Sequence, residues 1–215
     1  MPAVDSHYYA ERRPEVGRFI PTHYTRVLEV GCARGEFRQN LAQNVEVWGI
    51  EPVPEAAAVA RTRLNHVLNG TFEQVHGQLP ENAFDLVICN DVIEHMADDA
   101  GFLRAIQRHM KPGGHIVGSI PNMRYWRVFR RLLFHREWNY EDEGVLDRTH
   151  LRFYTVKSFP RLLRANGFDV INFKGINGMR LRRRIPICLF SLGLLSDTVW
   201  LQFAFVARIN GALRA

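Results

Sequence analysis

Two short clusters carry the side chains that chemistry needs. The first is Glu29-Val30-Gly31-Cys32-Ala33-Arg34-Gly35, followed downstream by Glu51. Glycine has no Cβ, so backbone between Gly31 and Gly35 can close tightly on a ligand. An acid at the tip of the neighbouring strand can accept two hydrogen bonds from a ribose diol. A dinucleotide fingerprint would want glycines at 31, 33 and 36, where the chain has Gly31, Ala33 and Glu36. Glu36 would also set a negative charge where a pyrophosphate must lie at a helix start. Loop and acid together describe a site for a nucleoside-bearing ligand without phosphate. The second cluster is Asp91-x-x-Glu94-His95. If a helix starts there, these spacings put two carboxylates and an imidazole on one face, able to move a proton or to ligate a divalent cation. The competing reading, preferred here, has Asp91 and Glu94 capping a helix N-terminus while His95 lines the pocket, with no metal.

The elements that must position these groups alternate along the chain. Apolar Val27, Leu28 and Val30 predict a buried strand, and Phe37 and Leu41 start a helical spacing. Residues 45–50 predict a second strand and Glu55 to about Leu64 a helix after Pro52 and Pro54. Residues 67–71 suit a short strand and its loop, and 84–90 a strand buried on both faces. A helix follows, capped by Asp98 or Asp99, with Phe102, Leu103, Ile106 and Met110 inward. Lys111-Pro112-Gly113-Gly114 ends it before a strand from His115 to Asn122. Asn166-Gly167 stops a later helix, and strands are predicted at 168–173 and 201–207. Such alternation predicts one α/β domain over 1–215, with ligands at the C-terminal edge of its sheet.

Composition is that of a globular protein, 47% hydrophobic and 23% charged, which excludes wholesale disorder. Cys32, Cys89 and Cys188 lie far apart without metal-type spacing, as in a reducing compartment. Residues 1–10 are polar and carry no secretory pattern, so a cytoplasmic location is expected, with the inner face of a membrane as the alternative. The net charge of +6 suits anionic partners without choosing among nucleic acid, acidic lipid and phosphorylated substrate. Arginines alternate with bulky apolar residues at 124–138 and again at 180–195. Either these segments cover the acceptor pocket, the preferred expectation, or they lie in a membrane interface. The apolar run 185–195 is too short to span a bilayer.

The strand-loop-helix with Glu29, Gly31 and Gly35, the stretch Asp91 to Met96, and the helix, Lys-Pro-Gly-Gly and strand order together resemble the class I S-adenosylmethionine-dependent methyltransferases. Ala33 stands where that family's first motif has its middle glycine. The resemblance implies a Rossmann-like fold, a mostly parallel seven-stranded sheet with helices on both faces and the last strand antiparallel. It implies S-adenosylmethionine as cofactor and S-adenosylhomocysteine as by-product. Cofactor contacts are then expected from Glu29, Gly31, Cys32, Ala33 and Gly35 of the loop, from Glu51 and Pro52, from Thr71 and Phe72 near adenine, and from Asn90 and Asp91. Tyr8 and Tyr9, in a short predicted helix, either cap the ligand or anchor the terminus.

Some quinone and small-RNA methyltransferases that resemble this stretch hold magnesium with an acid-x-x-Glu-His group, which His150 would complete here. Asp147 to Thr155 resembles a motif of members associated with sugar and polysaccharide methylation. Expected catalytic residues are therefore His95, Asp91 and His150, and expected acceptor contacts Asn122, Tyr125, Asp147, His150 and Arg152. Residues 123–155 would form an acceptor-site lid and 180–200 a covering segment. The preferred function is O-methylation of a saccharide or related metabolite hydroxyl. The runner-up is a polyprenyl quinone or lipid-like acceptor, and the rival from another class is a non-catalytic or RNA-associated cofactor-binding module. A nucleic-acid partner ranks behind a small-molecule or glycan acceptor.

Overall fold

The computed structural model describes residues 12–210, with the backbone alone at Arg183. In chain order these residues form α1 (Pro14–Gly17), β1 (Arg26–Val30), a 3-10 segment (Glu36–Asn40), β2 (Glu46–Glu51), α2 (Pro54–Ala60), β3 (His66–Asn69), α3 (Phe72–Val75) and β4 (Phe84–Asn90). A 3-10 turn (Ile93–His95) leads to α4 (Asp99–His109) and β5 (Met110–Pro121). Then come α5 (Trp126–Arg130) with a π-helical turn (Arg131–His135), α6 (Ser158–Ala165), β6 (Phe168–Gly178), α7 (Leu181–Phe190) and β7 (Trp200–Ile209). The seven strands make one sheet in the order β3-β2-β1-β4-β5-β7-β6. The first five are parallel, and β7 runs antiparallel to both β5 and β6.

The period-two alternation of strand side chains sorts the core onto two faces. Leu28, Val30, Val87 and Cys89 pack on one side with Phe102, Leu103 and Ile106 of α4 and Phe159 of α6. Val27, Leu86 and Ile88 pack on the other with Val16 of α1, Phe37 and Ala60 of α2. Helices thus cover both faces, as a nearly continuous apolar run in β1 and β4 requires.

Local boundaries depart from the sequence expectations where short-range geometry wins. The helix expected after Gly35 is only the five-residue 3-10 segment. α2 ends at Ala60 and reaches Leu64 through turns, with Leu64 N–H still donating to Ala60 O at 2.9 Å. β5 begins at Met110 and takes in Lys111–Gly114 through a register shift against β4. Within the 180–200 segment none of the described side chains of α7 is buried, whereas Thr198 and Val199 at its end are. Tyr8 and Tyr9 lie outside the described residues.

Candidate active site

The loop after β1 is held in left-handed backbone, with φ of 70° at Gly31, 47° at Ala33 and 75° at Gly35. A Cβ at Gly31 would sit 2.8 Å from Val92 Cγ2, so glycine is required there for space as well as for φ. Gly31 and Cys32 both donate their amides to Ile50 O, at 2.9 and 3.0 Å, which closes the loop onto β2. Glu51, buried at the end of β2, accepts the Ala33 amide at 2.8 Å and the Val53 amide at 2.9 Å, one on each carboxylate oxygen. Each oxygen keeps a further lone pair, enough for two ribose hydroxyls. Glu29 is buried beneath, its Oε2 without a hydrogen-bond partner among the described residues. Burial, and then the nearby Glu51 charge, pushes its carboxyl up to about 8.

Three expected cofactor contacts change character. The Cys32 side chain is buried, and a Cβ on Gly49 would come within 2.6 Å of its Sγ, so Cys32 packs on β2 and offers the site only backbone. Phe72 is core, stacked on His76 at 5.0 Å and edge-on to Phe102 at 4.8 Å. Thr71 spends its hydroxyl and amide on a capping box with Gln74 that starts α3. Pro52 is exposed beside Glu51.

At the C-terminal edge of β4, Asn90 Oδ1 is buried with no partner among the described residues. Asp91 follows at φ 51°. Its carboxylate pairs with the Arg13 guanidinium and accepts Ser119 Oγ at 2.9 Å and Gln202 Nε2 at 2.8 Å. Arg13, just ahead of α1, also reaches Ser119 Oγ at 3.0 Å and Glu15 at 2.8 Å. Burial works against its charge, but the Asp91 and Glu15 carboxylates outweigh that and hold it protonated. Sequence reasoning missed Arg13; one arginine of a basic chain becomes special only once folding sets it against Asp91, Ser119 and Gln202.

This turn corrects the helical geometry expected for Asp91-x-x-Glu94-His95 and takes Asp91 out of the set. No helix begins there to align the three or to be capped by them. The chain makes a 3-10 turn, and α4 starts at Asp99 with Asp98 as cap, accepting the Gly101 amide at 2.7 Å. Asp91 faces Arg13, while Glu94 turns inward alone.

Glu94 finds other company. Glu94, His95 and His150 bring one ligand atom each to within 4.8 Å of one another. Glu94 is buried and neither carboxylate oxygen has a hydrogen-bond partner among the described residues. Burial first, then the Asp91 charge, raises its pKa. His150 places Nδ1 3.1 Å from Val145 O, and His95 places Nδ1 3.2 Å from Thr149 O. Carbonyls only accept, so in the neutral rings both protons sit on Nδ1 and both Nε2 atoms carry lone pairs. His150 Nε2 lies 4.0 Å from Glu94 Oε1, too far for a hydrogen bond and open to a bridging ligand. A buried unpaired carboxylate with two carbonyl-oriented imidazoles fits a divalent cation. It equally presents a proton acceptor at His95, whose pKa is lowered by burial and then by His150.

The expected acceptor contacts divide sharply. His150 joins the cluster. Asp147 instead shapes the loop that delivers it, its Oδ1 accepting the Thr149 amide at 2.7 Å and hydroxyl at 2.6 Å, while its own carbonyl takes the His150 amide at 3.0 Å. Arg148 pairs with Asp142 and Arg152 with the Ala97 carbonyl. Asn122 is fully buried and saturated, donating to Asp197 O and Trp200 O at 2.8 and 2.9 Å and accepting the Arg124 amide at 3.0 Å. It is a staple, not a substrate ligand. Tyr125 packs against Val128, Val145 and Leu146 at the root of the 123–155 excursion.

Comparison with known proteins agrees with this geometry. A family model described as a methyltransferase domain matches residues 6–172, well over half the chain. The chain is similar to a ubiquinone biosynthesis O-methyltransferase of Aeromonas salmonicida, 27% identical over 158 residues that make up 71% of this chain and 66% of that protein. It is also similar to the mitochondrial ubiquinone biosynthesis O-methyltransferase of Schizosaccharomyces pombe, 34% identical over 102 residues, 44% of this chain and 37% of that one. These alignments span from just over a third to about two thirds of the relatives' length. Among solved structures, a SAM-dependent methyltransferase from Archaeoglobus fulgidus superposes with a TM-score of 0.72 at 18% identity, over 95% of this chain and 100% of that chain, which establishes the shared fold. The seven-stranded sheet, the glycine loop with its acid and the family match lead to one conclusion: this chain belongs to the class I S-adenosylmethionine-dependent methyltransferases.

Proposed function

We propose that this protein transfers the methyl group of S-adenosylmethionine to a hydroxyl on the aromatic ring of a quinone precursor or a similar lipid-like acceptor. The observation that carries this is the Glu94, His95 and His150 cluster beside Asn90 and Asp91, a proton-accepting and cation-holding set at the sheet edge where ligands bind. In the reaction the acceptor oxygen attacks the methyl carbon, the carbon–sulfur bond breaks toward sulfur, and the hydroxyl proton must leave. Neutral His95 can take that proton, and the loop stapled by Asp147 holds His150 in register beside it. Alternatively, a divalent cation held by Glu94, His95 and His150 would occupy the His95 Nε2 lone pair and lower the pKa of the hydroxyl, in place of His95 acting as base. The quinone reading is favoured over the saccharide one on two grounds. The similar proteins are ubiquinone biosynthesis O-methyltransferases. Of the residues that suggested a glycan, Asp147 spends its side chain on its own loop and Arg152 donates to the Ala97 carbonyl.

Incubation of the purified protein with methyl-labelled cofactor and an acceptor panel tests this. Label should enter prenylated catechols or phenols and not mono- or oligosaccharides; transfer to saccharides alone would reverse the assignment. Calorimetry with magnesium or manganese on wild type and Glu94→Gln separates the two roles of the cluster. Binding that the variant loses by about tenfold or more marks Glu94 as a ligand. No binding, with activity intact in chelator, leaves His95 as the base.

A further inference from the structure

We propose that α5 with its π-helical turn, together with α7 and the turn after it, form one docking face that sits in the headgroup region of an anionic phospholipid leaflet. The inference goes beyond the acceptor assignment and does not depend on it. The sequence expectation was that these two segments hide their apolar sides over the pocket. Only the first turn of α5 does so, through Val128. Beyond it, Leu133 and Phe134 are 57% and 67% exposed, and at the other segment Leu189, Phe190 and Leu192 are 67%, 91% and 92% exposed. Large aliphatic and aromatic side chains grouped in this way mark an interaction surface rather than the scattered apolar residues of an ordinary exterior.

Both segments spring from the same root, which fixes them to the body of the protein. The Trp126 amide donates to Thr198 O at 2.8 Å, Asn122 Nδ2 to Asp197 O at 2.8 Å, and Arg124 pairs with Asp197 at 3.2 Å. Arg184 lies 4.0 Å over the Trp200 ring and ties α7 to the start of β7.

Charge selects the occupant. Residues 123–136 carry Arg124, Arg127, Arg130, Arg131 and Arg136, and residues 178–196 carry Arg180, Arg182, Arg183 and Arg184. Asp197 pairs with Arg124 and Glu141 with Arg131, and the arginines still outnumber the acids that flank them, Glu137 and Asp197. A second copy of the chain would meet this face through a twofold contact that sets like charges against each other. Single-stranded RNA would satisfy the arginines and could stack on Phe134 and Phe190, but would leave the more numerous aliphatic side chains Leu132, Leu133, Leu189, Leu192 and Leu194 in water. An anionic bilayer surface satisfies both, the aliphatic side chains entering the acyl boundary while arginines reach headgroup phosphates. No helix among the described residues is long and apolar enough to cross a membrane, so the contact is interfacial.

Flotation of the full chain with phosphatidylcholine vesicles, with and without phosphatidylglycerol, tests the proposal at physiological salt. Strong flotation is expected only with the anionic vesicles. The paired variant Phe190→Ser with Leu192→Ser should weaken it by about tenfold or more. Arg127→Glu with Arg182→Glu should weaken it comparably and reduce its salt dependence. S-adenosylhomocysteine affinity, measured on each variant, should stay at the wild-type value and so reports that the fold is intact. Three outcomes would overturn the proposal: equal flotation with neutral vesicles, retention on polyuridylate without flotation, or self-association abolished by the serine pair in the absence of any vesicle binding.

Discussion

A buried guanidinium facing a carboxylate is a natural seat for the amino-acid end of S-adenosylmethionine, which carries one charge of each sign. Arg13 and Asp91 meet at the ends of β4, β5 and β7. Arg13→Met should therefore weaken S-adenosylhomocysteine binding by roughly tenfold to 100-fold, the size of a lost charge-assisted contact. 5′-Methylthioadenosine, which lacks the amino acid, should bind the variant as it binds wild type; an equal loss for both ligands in calorimetry would remove Arg13 from that role. Glu51→Ala should cost about 2–3 kcal/mol for either ligand, because it removes the ribose partner they share. Glu29 makes a prediction about pH. Its folded carboxyl titrates near 8 against an ordinary value of 4.5. Between those values the folded protein keeps a proton that the unfolded chain has released, so stability from this group is full below 4.5 and is lost as pH rises to 8. Glu29→Gln should flatten the fall of the apo-protein melting temperature across that window and add up to about 5 kcal/mol at its upper end. A melting profile whose slope is the same with glutamine would show that the burial cost is met elsewhere.

At the scale of elements, what could be foreseen depended on whether a pattern was local. The strands β1, β2, β4 and β5 were visible because continuous apolar runs announce burial on both faces, and the glycine loop with Glu51 because backbone closure and diol binding constrain residue type. The Asp91 to His95 stretch was legible as chemistry but not as geometry. Spacing suggested one helical face, whereas a left-handed Asp91 and a 3-10 turn sent Asp91 to Arg13 and Glu94 inward. No spacing rule reports a partner such as Arg13, 78 positions away. Asp147 and Asn122 were expected to contact the acceptor, whereas their polar atoms serve the loop and the β5–β7 junction. That assignment is open to test. Asp147→Asn keeps an oxygen that can accept from Thr149, and Asp147→Ala does not. The alanine variant should lose about 1–2 kcal/mol of loop order and show a reduced kcat with unchanged cofactor affinity, while the asparagine variant restores most of it. Equal defects in both variants would mean that the carboxylate charge itself acts in the reaction.

Across the whole molecule the sheet separates two tasks. Its parallel strands, β1 to β5, carry the glycine loop, Glu51 and the Asp91 turn at their C-terminal edge, and the antiparallel pair β6 and β7 is joined through α7 between Gly178 and Trp200, which face each other in the hairpin. None of the described α7 side chains is buried, so this segment draws little stability from the core and returns little to it. Replacing residues 182–194 with a short Gly-Ser linker should therefore leave the fold and the cofactor site in place. Asp197 and Thr198 remain in that variant and still receive Asn122 and Trp126. The chief native contact removed is Arg184 over Trp200, about 0.5–1 kcal/mol for a partly exposed cation–π pair. In a domain of this size that corresponds to a fall in melting temperature of roughly 1–4 °C. Calorimetric melting and S-adenosylhomocysteine titration of the linker variant check this directly. A fall of more than about 10 °C, or a loss of cofactor binding, would show that α7 is part of the folding core and that its exposed apolar side chains have partners within the protein.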